Sequence, residues 1–273
     1  MEIKALCGKT SYIETRWALI PLYYLSEREV VLFDSGVEPE EELLTLLDRE
    51  GLRVRAVLST HLHPDHIANN EALVERHGAE VFAHYPEIPV FYQRFGTPYS
   101  VTPIPDGDTF VLEGVPFRTL SIPGHSVGHL LFVTPDGVVC VGDAIITDEE
   151  LNRSKIPYMD DVDRAIISME DLRQTRYPWY IVAHKGVVPG AELYDLVERN
   201  IQKELDLYEL VRRCLTGPME LEELVTAFIR ASGVRSEKMV EENFVRHTAR
   251  VRILALAGVG EFSVEGDMVI PCR

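Results

Sequence analysis

Through the first 190 residues, short apolar runs alternate with stretches whose apolar positions recur every three or four residues. Residues 1–36 read as strands. Within them, Ile20 to Leu25 and Glu29 to Phe33 flank the polar Ser26, Glu27 and Arg28, a hairpin pattern. Asp34-Ser35-Gly36 then turns the chain. From Glu40 to Glu50, Leu43, Leu44, Leu46 and Leu47 share one helical face, and Gly51 supplies the stop. Val54 to Leu58 is apolar and β-branched, as a buried strand would be. A helix over Asn69 to His77, ended by Gly78, and a strand over Ala79 to His84 continue the rhythm. Phe110 to Leu112 and Val115 to Leu120 flank Glu113-Gly114, a hairpin signal. Leu130 to Val133 and Val138 to Val141 do the same around Pro135-Asp136-Gly137. A helix over Asp163 to Gln174 and a strand over Trp179 to Ala183 follow. Strands alternating with helices predict layered sheets and helices.

Two stretches break the rhythm. Residues 85–105 carry Tyr85, Phe91, Tyr92, Phe95 and Tyr99 among five prolines. Such a segment either lids a pocket or packs its aromatics on the core. Residues 148–163 are acidic and read as irregular. Beyond Gly190 the texture becomes helical. Ala191 to Leu215, Pro218 to Ala231 and Ser236 to Ala257 read as three helices, with Ser236 a candidate cap, and residues 262–270 as a short hairpin. Two domains are therefore expected, 1–190 and 191–273, the second resembling a winged-helix module.

A chain of 273 residues, 46% hydrophobic and 26% charged, has the composition of a globular protein with a large core. Its net charge of -17 disfavours nucleic acid and anionic membranes as partners. Cys7, Cys140, Cys214 and Cys272 show no paired spacing and are expected to be free thiols. Met1-Glu2-Ile3-Lys4 does not begin an export signal, and no apolar run is long enough to cross a bilayer, so a cytoplasmic protein is expected.

Candidate chemistry concentrates where the strands end. After Val54 to Leu58 come His61, His63, Asp65 and His66. A His-x-His pair on extended chain points both rings to one side, and an adjacent carboxylate and imidazole extend the set toward one or two divalent metals. Three later strand ends deliver His125 after Pro123-Gly124, Asp143 after Gly142, and His184 before Lys185-Gly186. A lone histidine is usually structural. Four strand ends bearing metal-binding types form a joint signal of a different order. Asp34 could cap the next helix or brace a ligand. His84 is a further bracing candidate. His129 reads as structural, His77 as a helix-end cation, and His247 as a surface or packing residue.

The motif Thr60-His61-Leu62-His63-Pro64-Asp65-His66, with Gly124-His125-Ser126, Gly142-Asp143-Ala144 and Ala183-His184-Lys185-Gly186, resembles that of the metallo-β-lactamase superfamily. The resemblance covers about residues 1–190. It implies an α+β fold, the αββα sandwich, with the metal site at one edge between two sheets. It implies that His61, His63 and His125 hold one metal, that Asp65, His66 and His184 hold a second, and that Asp143 bridges them. Asp65 and His184 would also take part in catalysis, Asp65 orienting the attacking water or taking up its proton. The cofactors expected are two divalent metal ions, zinc first, with iron or manganese suiting the same donors.

Two functions follow from that resemblance. One is hydrolysis of a small-molecule thioester, ester or lactone. Asp65 to Asn70 is similar to the glyoxalase II stretch, although Ala68-Asn69 stands where that branch usually has Gly-Gly or Gly-Asn. The alternative is an endoribonuclease or phosphodiesterase, suggested by the tail. Arg246, Arg250 and Arg252 would lie on its third helix. Against it, residues 191–273 carry 11 basic and 15 acidic side chains. A structural, dimerising or pocket-covering tail is the expected role, with a homo-oligomer left open.

Overall fold

The computed structural model describes residues 1–94, 98–234 and 239–272. The first half forms a seven-stranded sheet whose spatial order follows the chain. Its strands are β1 (Ile3–Cys7), β2 (Thr10–Glu14), β3 (Leu19–Tyr24), β4 (Glu29–Phe33), β5 (Arg53–Ser59), β6 (Glu80–His84) and β7 (Val101–Ile104). β1 to β4 meander antiparallel, whereas β4 to β7 run parallel. The parallel part needs crossovers, supplied by α1 (Glu41–Arg49), α2 (Asn70–His77) and α3 (Glu87–Arg94). A six-stranded sheet follows, with β8 (Thr109–Leu112), β9 (Val115–Ser121), β10 (Leu130–Val133), β11 (Val138–Gly142), β12 (Trp179–Val182) and β13 (Gly186–Pro189). β11 and β12 are parallel, joined through α4 (Asp148–Arg153) and α5 (Val162–Gln174).

Side-chain alternation sorts these strands into layers. Val30, Leu32, Val54 and Val57 pack against Leu43, Leu46 and Leu47 of α1. Their neighbours Val31, Phe33, Ala56 and Leu58 face Phe117, Leu130 and Phe132 of the second sheet. That sheet's other face, including Leu131, Val139 and Val141, meets helices. The result is the expected α+β sandwich, helix–sheet–sheet–helix.

Four local departures from the sequence reading have physical causes. β7 is a strand despite Pro103 because it lies at the sheet edge, where a missing N–H is tolerated. β13 is a short edge strand, too brief for its pattern to show. α4 forms inside the acidic stretch because Thr147 caps it, accepting from the Glu150 amide, with Asp148, Glu149 and Glu150 in the first turn. The aromatic segment splits: Phe91 is buried, Tyr85 and Tyr92 are exposed, and the Tyr92 hydroxyl accepts from the Val101 amide at 3.1 Å. Phe95 and Ser236 lie outside the described residues.

After residue 190 come α6 (Leu193–Cys214), β14 (Met219–Glu220), α7 (Leu221–Ser232), α8 (Met239–Gly258), β15 (Phe262–Glu265) and β16 (Met268–Pro271), the three strands pairing as a small sheet. One apolar cluster contains Val141 and Tyr180 of the second sheet together with Val211, Phe228 and Ile253 of the tail. The core thus continues across the change in texture. Inside it, Arg252 and Glu204 are fully buried and paired at 2.6 Å. Among the described residues, no helix is long and apolar enough to cross a membrane. The four cysteines are free thiols.

Candidate metal centre

β4, β5 and β6 end at the same sheet edge because they are parallel, and β11 and β12 end together for the same reason. A backbone bond from Leu130 N to Thr60 O, 2.8 Å, ties the two sheets together there. All seven side chains singled out in the sequence converge at this edge. His61, His63 and His125 form one group, and Asp65, His66, Asp143 and His184 another, with the ligand atoms of each within 4.8 Å of one another. Asp143 lies between them. Its Oδ2 is 3.2 Å from His184 Nε2, 3.3 Å from His66 Nε2 and 3.7 Å from His125 Nε2.

Three of the five imidazoles are held from outside the cluster through Nδ1, the usual arrangement for ligating imidazoles. His61 Nδ1 lies 3.1 Å from Thr60 Oγ1, His66 Nδ1 2.9 Å from Asp34 Oδ2, and His125 Nδ1 3.1 Å from the Tyr158 carbonyl. Asp34 is therefore a brace and not a helix cap. Its carboxylate also accepts from the Thr60 amide at 2.7 Å and the Thr60 hydroxyl at 2.8 Å. To reach them it adopts φ +60°, a left-handed conformation that Asp tolerates better than most residues. Gly142 sits at φ +57°, where an added Cβ would lie 2.5 Å from Thr60 Oγ1, so glycine is what brings Asp143 up to the ligand loop.

The buried polar atoms His61 Nε2, His66 Nε2 and Asp143 Oδ1, all on residues of the cluster, have no hydrogen-bond partner among the described residues. Buried polar groups normally have partners, so a nitrogen-and-oxygen set of this kind fits a divalent cation. Burial, reinforced by neighbouring imidazoles, holds His61 well below the usual histidine range, and burial lowers His63 and pushes His125 down to about 4. These rings are neutral near pH 7, with lone pairs available. Asp143 raises His184 to about 9. Burial opposes charge on His66, but Asp143 and Asp34 outweigh it and hold that ring well above its ordinary value. Positive charge is thus stabilised where Asp65, His66, Asp143 and His184 meet.

The remaining histidines divide. His129 is structural, as expected, stacked on His61 and accepting from the Asp143 amide at 3.2 Å. His84 joins Gly128 O at 3.0 Å and Asp106 at 2.9 Å, which places it behind the 122–129 loop and outside the ligand groups. His77 is not a helix-end cation. It accepts from the Val54 amide at 3.4 Å, and burial lowers its pKa. His247 is more than a packing residue. It stacks on Tyr158 with ring centres 5.6 Å apart and lies 3.0 Å from Asp160.

Other contributors carry no metal-binding signature in sequence. Buried Glu87 accepts from the Leu62 amide at 3.2 Å and the Gly128 amide at 2.6 Å, clamping two ligand loops together. Asn69 binds Ser35 O, Glu38 O and Glu40 N, which fixes the turn beside Asp34. Tyr158 sets an edge against His63 at 5.1 Å. It also forms part of a cavity of about 370 Å³ that opens beside His63 and is bounded by Arg94, Asn243, Phe244 and His247. The Thr147-x-x-Glu150 cap signal was available for α4, but no local signal announces Glu87 or Tyr158.

Comparison with known proteins agrees with this architecture. The chain is 35% identical over 105 residues to a hydroxyacylglutathione hydrolase of Methylobacillus flagellatus, covering 38% of each chain. It is 26% identical over 152 residues to hydroxyacylglutathione hydrolase GloC of Haemophilus influenzae, covering 51% of this chain and 71% of that one. The match spans less than half the length of several such relatives, including those of Methylobacillus flagellatus and Chromohalobacter salexigens. In fold, the chain is similar to a beta-lactamase domain protein from Burkholderia ambifaria, with a TM-score of 0.76 and 18% identity over 100% of this chain and 94% of that one. It is also similar to a metallo-beta-lactamase family protein from Thermus thermophilus, with a TM-score of 0.72 and 20% identity over 96% and 97% of the two chains. The metallo-beta-lactamase superfamily model matches residues 19–184, the span that carries every ligand candidate, and the chain belongs to that superfamily.

Proposed function

We propose that the chain hydrolyses a small-molecule thioester, ester or lactone with two divalent cations at this centre. His61, His63 and His125 would hold one cation, Asp65, His66 and His184 the other, and Asp143 would bridge. The observation that carries this reading is the convergence of two full donor groups on one carboxylate beside a cavity of about 370 Å³. Zinc suits the donors first, and iron or manganese also fit. When bound, such cations lower the pKa of water and polarise the oxygen of the scissile group. Asp65, its side chain 45% exposed and 3.9 Å from His184, would take a proton from the attacking water. In the reaction the water oxygen bonds to the acyl carbon, the C–S or C–O bond breaks, and the leaving thiol or alcohol takes a proton.

The hydroxyacylglutathione hydrolase relatives support an acyl substrate. A second reading, an endoribonuclease or phosphodiesterase, draws on the tail's three helices and small sheet. Its arginines speak against it. Arg246 and Arg250 both pair with Glu222, and Arg252 is buried on Glu204, so none of these three is left to follow a phosphate backbone.

Metal analysis with a panel of acyl thioesters, p-nitrophenyl esters, lactones, bis-p-nitrophenyl phosphate and single-stranded RNA separates the two. Metal-dependent turnover of a carbonyl substrate is expected. RNA cleavage with no carbonyl turnover would overturn the proposal. Asp143→Ala should lower the metal content, and an unchanged content would break the bridging assignment.

A further inference from the structure

The cavity beside His63 has a chemical polarity of its own. One side is aromatic. Tyr158 packs edge-on to His63 at 5.1 Å and to Phe244 at 5.6 Å, and His247 stacks on its face. This box is rigid because Asp160 accepts from the Tyr158 hydroxyl at 2.7 Å and lies 3.0 Å from His247 Nε2. The amides of Asp160 and Asp161 both bond Gly124 O at 2.9 Å, which fixes the box to the His125 loop.

Arg94, in the last turn of α3, lines the same cavity and supplies its charge. The group that faces its guanidinium here is the neutral Tyr158 hydroxyl. Many other arginines are neutralised: Arg173, Arg199, Arg212, Arg246, Arg250 and Arg252 each hold a carboxylate. The carboxylate nearest the box, Asp160, is already engaged by Tyr158 and His247. In a chain of net charge -17, a cation facing a cavity beside the ligand histidines favours an anion. The volume of about 370 Å³ is that of a small-ligand site.

We infer that this cavity selects acyl substrates whose end remote from the scissile bond carries a carboxylate. Arg94 binds that carboxylate, Tyr158 and Phe244 cover the apolar middle of the acyl chain, and the acyl carbon lies toward His63. The inference rests on the hydrolase reading for the placement of the scissile bond alone.

The test uses the metal-loaded full chain and two thioesters of one thiol, glutaryl with a free carboxylate and pentanoyl without. Wild type should prefer the glutaryl thioester in kcat/KM. Arg94→Met should reduce that preference about 10- to 100-fold, mostly through KM, the range of a charge-assisted bond. Arg94→Lys should retain part of it. A glutaryl-to-pentanoyl ratio within about threefold of wild type in Arg94→Met would overturn the inference. Titration calorimetry with glutarate reads the cavity without turnover, and its affinity should fall by a similar factor in Arg94→Met. Arg94-dependent glutarate binding with neither thioester, nor the matching glutaryl ester, hydrolysed would uphold the cavity's selectivity and reject the hydrolase reading. Glutarate binding that is absent, or equal in wild type and Arg94→Met, would reject the selectivity.

Discussion

Removing one member of the Glu204–Arg252 pair should cost far more than removing both. The side chains are 1% and 0% exposed. Arg252 donates to both oxygens of Glu204, to the Thr248 carbonyl and hydroxyl, and to Pro157 O, with distances of 2.6 to 3.0 Å. Glu204→Leu would leave a guanidinium in a dry interior, and Arg252→Leu would leave a carboxylate there. Either single change should cost about 3–5 kcal/mol, and the double change should recover most of it. The damage should also reach the metal centre. Arg252 and Thr248 hold Pro157 O, and Thr248 accepts from the Met159 amide at 3.0 Å. Between those anchors the Tyr158 carbonyl accepts from His125 Nδ1. Urea unfolding of the two single variants and the double variant measures the cycle, with metal first chelated and then saturating so that linkage is held fixed. Single variants within about 1 kcal/mol of wild type, or a double variant as unstable as the sum of the singles, would refute the reasoning.

Three further outcomes are expected. Asp34→Ala removes the carboxylate that holds both His66 and Thr60 and should weaken metal binding about 10- to 100-fold, read by competition with a chromophoric chelator. His77 keeps a lowered pKa in the fold against about 6.5 when unfolded, so the unfolded chain takes up the proton first. Its contribution is complete above pH 6.5 and is lost as pH falls through the lowered native value; His77→Gln should flatten the slope of unfolding free energy between pH 7 and 5. Chelation of a metal that had been present at about a thousandfold its Kd should remove about 4 kcal/mol of stability, and re-addition should restore it, as read by thermal melts.

The convergence of the candidate ligands was legible because each is a metal-binding type placed directly after an apolar run, and a sandwich delivers strand ends to one edge. The strand was legible as buried on both faces because Val30-Val31-Leu32-Phe33 is apolar throughout, whereas which residues meet α1 and which meet the second sheet is decided only in three dimensions. Glu87 was not legible. An acidic residue at the start of a helix is ordinary, and its buried role exists only because the loops at Leu62 and Gly128 approach it from 25 and 41 residues away. His247 was illegible for the same reason, meeting Asp160 across 87 residues. Asp34 was legible as a choice between cap and brace, and the return of Thr60 and His66 to one turn decides it.

The tail's charges illustrate how position in the fold changes a residue's meaning. Three arginines on one helix, read along the sequence, resemble a surface for phosphate. In the fold, Arg252 faces inward and becomes the buried clamp on Pro157, while Arg246 and Arg250 share Glu222 on α7. The same helix sends His247 and Phe244 to the cavity beside His63. α6 contributes Asn200, which accepts from the Ile146 amide at 2.9 Å and donates to the Ile146 carbonyl at 2.9 Å, three residues past Asp143. Both loops that carry Asp143 and support His125 are therefore held by tail side chains. A segment that ties down two candidate ligand loops and lines the cavity beside them shapes the approach to the centre, and its acidic balance counts against long polyanions.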